Sequence, residues 1–124
     1  MSREEDAVRS TGCVIVGGGP AGMILGLLLA RRGVRVQMLE MHADFERDFR
    51  GDTIHPSTME MLDRIGAAED LHKLRHGKLR AMRFVTPQRT WTLVQLGRLK
   101  TRFPYIMIAP QARFLEFLHE RARR

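Results

Sequence analysis

At 124 residues the chain has room for one small domain, and its single cysteine, Cys13, excludes an internal disulfide. The formal charge is +7 but unevenly spread: residues 1–70 carry 8 Lys/Arg against 12 Asp/Glu, whereas residues 71–124 carry 13 against 2. A basic half suits acidic partners, yet its cations are scattered over expected loops and strand edges. With no zinc pattern, stacking motif or DNA-reading helix pair among them, no nucleic-acid partner is expected.

Residues 1–11, with Glu4, Glu5 and Asp6 and no apolar run, read as a short mobile lead-in rather than a secretory signal. Cys13-Val14-Ile15-Val16 reads as a buried strand, and Cys13 as a reduced packing residue of a cytoplasmic protein. The strand runs into Gly17-Gly18-Gly19-Pro20-Ala21-Gly22 and then into the apolar helix Met23–Ala30. Each glycine has a physical role in such a turn: Gly17 permits the sharp exit from the strand, Gly19 admits close approach of a phosphate, and Gly22 allows tight helix packing. Pro20 stands where a missing N–H costs nothing. The helix is too short to cross a bilayer, so no membrane association is expected. It is apolar all round, which implies cover from further along the chain, and Gly33 is placed to cap it.

Val34–Glu40 then alternates as a second strand, completing a βαβ start. Glu40 stands 18 positions after Gly22, where a carboxylate can take the two hydroxyls of an adenosine ribose. Pro56–Gly66 reads as a short helix opened by a Ser57-x-x-Glu60 capping box, and Ala68–Leu74 as a second amphipathic piece. Met82–Thr86 and Thr90–Val94 read as a β-hairpin, Tyr105–Ala109 as another strand, and Pro110-Gln111 as the opening of a last helix. The five histidines show no ligand spacing and there is one cysteine, so no metal site is expected. No nucleophile elbow or other catalytic constellation is visible.

Taken together, these residues resemble the N-terminal part of the FAD-dependent aromatic hydroxylases, the flavin monooxygenases related to para-hydroxybenzoate hydroxylase. Three features carry the resemblance: the turn Gly17–Gly22 with Glu40 after it, Arg50-Gly51-Asp52 running into His55-Pro56-Ser57-Thr58, and Pro110-Gln111 at a helix start. The fold it implies is α/β, a Rossmann-like βαβ unit followed by helices and a hairpin, incomplete relative to the family. Residues 12–124 would be a partial FAD-binding domain, with 82–108 the start of a substrate-side sheet. The resemblance also places Arg50 and Gln111 on FAD, near its pyrophosphate and ribityl portions. Without it, Arg50 reads as a loop cation beside Asp48 or Asp52 and Gln111 as an ordinary first-turn residue.

The implied reaction is NAD(P)H-driven insertion of one oxygen atom into an aromatic or similar small molecule, with the chemistry carried by FAD and not by a catalytic side chain. The family's later Gly-Asp segment and third nucleotide-sheet strand are not in this sequence, which reads as a truncated product, a gene fragment or one piece of a split coding region. Such a chain is expected to bind FAD weakly or not at all, to sustain no turnover alone and to associate through an uncovered face of the helix Pro20–Arg32. Two other readings compete: an NAD-binding module of a dehydrogenase, which leaves the hairpin unexplained, and a non-enzymatic basic interaction protein derived from a flavoprotein.

Overall fold

The computed structural model describes residues 10–46 and 51–123, so most of the expected lead-in lies outside the described residues. Those described fall into two compact units, 10–43 with 118–123 and 44–117. In the first, β1 (Cys13–Val16) and β2 (Val36–Leu39) pair in parallel with Ile15 opposite Met38. Parallel neighbours need a crossover. It is supplied by α1 (Pro20–Ala30). Gly26 lets this helix lie close to the sheet, since a Cβ there would stand 3.1 Å from Met38 Cε and 3.5 Å from Ile15 Cδ1. α1 ends in a Schellman motif: Gly33 takes φ +77°, its N–H donates to Ala30 O at 2.9 Å and Val34 N–H to Leu29 O at 3.1 Å.

Two sequence expectations for this unit need correction. The β1 strand is buried on one face only, because alternation turns Ile15 towards α1 and Val14 and Val16 away from it. Val16 is 83% exposed. The helix is also better covered than expected: Met23, Ile24, Gly26 and Leu27 are buried. The end of the last helix contributes, with Arg121 and Ala122 bordering a cleft against Leu27, Ala30 and Arg31. The uncovered apolar surface therefore lies mainly on the far face of the sheet, at Val14, Val16 and Leu39, with Leu25 the large exposed side chain of α1.

The second unit is built on an antiparallel sheet in the order β3 (Thr53–Ile54), β7 (Ile106–Ile108), β4 (Gly77–Leu79). Central Met107 is fully buried, as are Met59 and Leu62 of α2 (Pro56–Arg64), Leu71 of α3 (Ala68–Leu71) and Leu115 of α4 (Gln111–Ala122). α2 does not use the expected capping box. Pro56 occupies its first turn and His55 is the N-cap, with no side-chain bond to the helix, so Ser57 already lies inside it. Its other end follows expectation: Gly66 takes φ +68°, and Ala67 N–H returns to Leu62 O at 2.8 Å.

β5 (Ala81–Val85) and β6 (Thr90–Gln95) form the expected hairpin with a bulge after Met82, and pair only with each other. The span 82–108 is thus divided between two sheets. Trp91 lies against Phe84 on the ribbon, with ring centroids 5.8 Å apart. His72 ties α3 to the segment before β7: its Nδ1–H donates to Ala68 O at 2.6 Å, and Tyr105 Oη lies 2.5 Å from Nε2. Phe103 stacks on the same ring.

These placements set a stability ranking. Met107→Ala should cost about 2–5 kcal/mol. Tyr105→Phe should cost about 1 kcal/mol through the lost hydrogen bond to His72, whereas Leu93→Thr on the exposed ribbon should change stability by less than about 0.5 kcal/mol. Urea denaturation followed by circular dichroism checks the order.

Candidate functional site

The turn between β1 and α1 has its shape because two side chains, at positions 17 and 22, are missing. Gly17 adopts φ +106°, a conformation costly for any residue with a Cβ, while its N–H remains bonded to Leu39 O at 2.8 Å. A Cβ on Gly22 would lie 2.0 Å from Gly17 O, so the first turn of α1 closes onto the strand exit only with glycine there. Gly19 is different. It is the N-cap of α1 in extended geometry, and a Cβ on it would meet nothing within 4 Å. Its substituent space faces outward, as a ligand-approach position requires.

No side chain caps α1, Pro20 occupies its first turn, and no acidic residue lies there. The helix therefore presents its positive end with main-chain donors that no side chain satisfies, which is the arrangement that holds a phosphate or pyrophosphate. Ala21 belongs to that first turn.

Beside it, Glu40 follows directly on β2. Its Oε2 accepts Gly18 N–H at 2.6 Å, and its Oε1 accepts His42 N–H at 2.8 Å and lies 2.6 Å from His42 Nδ1. The first unit thus brings together Gly17–Gly22 and Glu40, as the spacing implied. It also gives two residues parts that sequence reasoning missed. Gly18 is bound to the carboxylate and kept small by it, since a Cβ there would stand 2.9 Å from Oε2. His42 holds the other oxygen; its position two residues after the strand-end acid was the available signal.

In the second unit Gln111 is the first residue of α4, as expected, and its position is set by Asp52. Asp52 O accepts Ala109 N–H at 2.9 Å, and its Oδ1 accepts Gln111 N–H at 3.1 Å. One residue therefore joins β3 to the helix start. In sequence Asp52 looked like a loose partner for Arg50; here its carboxylate serves the α4 N-terminus. Arg50 itself lies outside the described residues. Cys13 is half-buried in β1. Among the described residues no three His, Cys, Asp or Glu side chains converge on a metal-sized site, and no helix is long and apolar enough to cross a membrane.

The family profile described as "FAD binding domain" matches residues 10–124. A 6-methylpretetramide 4-monooxygenase of Streptomyces rimosus is 34% identical over 115 residues, which cover 91% of this chain and 27% of that protein. Among solved structures, the p-nitrophenol 4-monooxygenase of Pseudomonas putida superposes with a TM-score of 0.74 at 27% identity, covering 91% of this chain and 29% of its own. The anhydrotetracycline hydroxylase of Streptomyces rimosus gives 0.74 at 32% identity, covering 91% and 22%. The chain spans about a quarter of the length of the relatives it matches.

The two kinds of glycine in the turn make opposite predictions. Gly22→Ala should destabilise the first unit by about 1–3 kcal/mol, because the new methyl overlaps a main-chain oxygen that cannot move away cheaply. Gly19→Ala should leave thermal stability essentially unchanged. Thermal unfolding of both variants, followed by circular dichroism, checks the contrast.

Proposed function

The chain belongs to the FAD-binding domain family, and from that premise we propose that residues 12–124 form the flavin-binding part of an FAD-dependent, NAD(P)H-using monooxygenase acting on an aromatic small molecule. The observation that carries the proposal is the uncapped α1 N-terminus behind an open Gly19, with the Glu40 carboxylate fastened beside it through Gly18. In this reading the main-chain N–H groups of Gly19, Ala21 and Gly22 hold the pyrophosphate, Gly18 stays bonded to Glu40, Pro20 shapes the helix start, and Gly17 and Gly22 keep the turn closed. Glu40 takes the adenosine ribose hydroxyls. The family resemblance assigns Arg50 and Gln111 to the pyrophosphate and ribityl portions, for which a guanidinium fork suits phosphate oxygens and an amide both donates and accepts.

FAD, when bound, supplies the electron transfer and oxygen chemistry, which is consistent with a sequence that offers no catalytic constellation. The chain's own contribution is position and charge: a helix end against a diphosphate and a carboxylate against a diol. An acid at the ribose also repels a 2′-phosphate, so this site selects FAD over a dinucleotide bearing one. The antiparallel β3-β7-β4 sheet favours this reading over a dehydrogenase module, in which strand and helix would alternate. The reading of an aromatic substrate is supported by relatives named for 6-methylpretetramide and para-nitrophenol. The ribbon β5–β6 begins the substrate side, and the protein works in the cytoplasm.

The test is FAD titration of the full chain by calorimetry and flavin fluorescence. Gly19→Val should abolish binding without lowering the melting temperature, and Glu40→Ala should weaken it by about 1–3 kcal/mol, or roughly 5- to 150-fold. His42→Ala retains the backbone bond to Glu40 and should lose less. Arg50→Ala should weaken binding and Arg50→Lys should restore only part of it. Gly19→Val and Glu40→Ala variants that bind FAD as the wild type does would sink the assignment.

A further inference from the structure

The second unit contains a cleft of about 790 Å³ that the flavin reading does not use. Its floor and walls come from three elements: the turn between α3 and β4, the end of β7, and the start of α4. Leu74, Ile108 and Pro110 make one part of the lining apolar. Lys73, Arg75 and Arg113 make the other part cationic. The framework is fixed by the sheet, where Gly77 pairs with Ile108, and by Asp52, which holds the α4 start through Gln111 N–H.

Two of the cations have acidic neighbours. Lys73 Nζ lies 2.7 Å from Asp70 Oδ1, and Arg113 Nη1 lies 3.0 Å from Glu116 Oε2. Both are exposed pairs three residues apart on a helix or turn and are screened by water, so an incoming dianion competes for them readily. His76 also lines the cleft. Its Nδ1–H donates to Leu74 O at 2.7 Å, which leaves Nε2 as an acceptor for an acidic proton or, once protonated, as a further donor. Two guanidinium forks, an ammonium and an imidazole suit the oxygens of a phosphate better than the two of a carboxylate. The volume falls in the range of small-molecule sites, and the apolar wall has room for a ring or chain beside the anion.

We infer that this cleft is a binding site for a phosphate monoester carrying an apolar or aromatic group. The cleft shares the start of α4 with the proposed Gln111 contact but no residue of the glycine turn, so Gly19→Val separates this inference from the flavin assignment.

Titration of the ¹⁵N-labelled chain with phenyl phosphate, inorganic phosphate and benzoate tests it, because amide resonances report where each ligand sits. Phenyl phosphate should shift His76, Gly77 and Ile108 saturably and more tightly than either fragment does. The Arg75→Gln/Arg113→Gln variant should bind it at least tenfold more weakly, and Gly19→Val should bind it normally. Arg75→Lys retains the charge without the fork and should weaken binding severalfold, which serves if the double variant does not fold. Equal affinity for inorganic phosphate would reduce the site to an adventitious anion position and overturn the inference. Benzoate binding as tightly would overturn the phosphate assignment, and shifts confined to Gly17–Gly22, no shifts at all, or unweakened arginine variants would overturn the site.

Discussion

The carbonyl oxygen of Gly17 lies where a side chain on residue 22 would have to begin, 2.0 Å from the ideal Cβ position, and the first unit is organised around that approach. Gly17 must take φ +106° for the chain to leave β1 this way, and its N–H stays bonded to Leu39 O so that the turn remains fixed to β2. The consequence is directional. α1 starts at once, with Pro20 in its first turn, and runs back along the sheet to Gly26, where the second missing Cβ lets Met38 and Ile15 pack against it. A steric condition on two glycines thereby decides where the positive end of a helix points and which sheet face becomes core. The electrostatic property follows from the packing property.

That economy leaves apolar surface open elsewhere. Val14, Val16 and Leu39 share the sheet face turned away from α1, and Met82, Phe84, Trp91 and Val94 share one face of the β5–β6 ribbon. Both sheets have only two strands, and isolated two-stranded sheets are marginal in water. The ribbon gains some support from Arg89 above Trp91 and from Leu96 N–H bonded to Arg80 O at 2.8 Å. By contrast, the β3-β7-β4 sheet carries a fully buried Met107 at its centre. Stability in the second unit is therefore concentrated around Met59, Leu62, Leu71, Met107 and Leu115, and the open faces are where association with other surfaces is favoured.

Elements with a strong local signal were legible in the sequence. Gly17 to Gly22, the apolar run to Ala30, the acid at Glu40, the hairpin around Pro87 and the helix opened by Gln111 all appear where composition and period place them. What escaped was set by tertiary contact. β3 and β4 are two and three residues long, too short for alternation to register, and exist because β7 supplies hydrogen bonds on both its edges. The Ser57 capping box failed because Pro56 already satisfies the first turn, moving the N-cap back to His55. Val14 and Val16 read as buried because a run of four apolar residues does not say how many faces are covered. Asp52 reaching Gln111 across 59 positions has no local signature at all.

The hydrogen bonds already made by Glu40 bear on how the proposed flavin site divides its affinity. A carboxylate offers about four lone-pair directions. Among the described residues at least three are engaged by the chain itself, through Gly18 N–H, His42 N–H and the His42 ring. A ribose diol brings two donors, so at least one internal bond must be shared or exchanged, and the obvious candidate is the His42 ring, whose side chain is half exposed. The net gain at the ribose is then the difference between two charge-assisted bonds and not the full strength of either. The α1 N-terminus has no such competitor, since no side chain caps it. In the proposed site the diphosphate end of the ligand would therefore carry most of the binding energy that this unit supplies, and Glu40 with His42 would chiefly determine which sugar, with or without a 2′-phosphate, follows it.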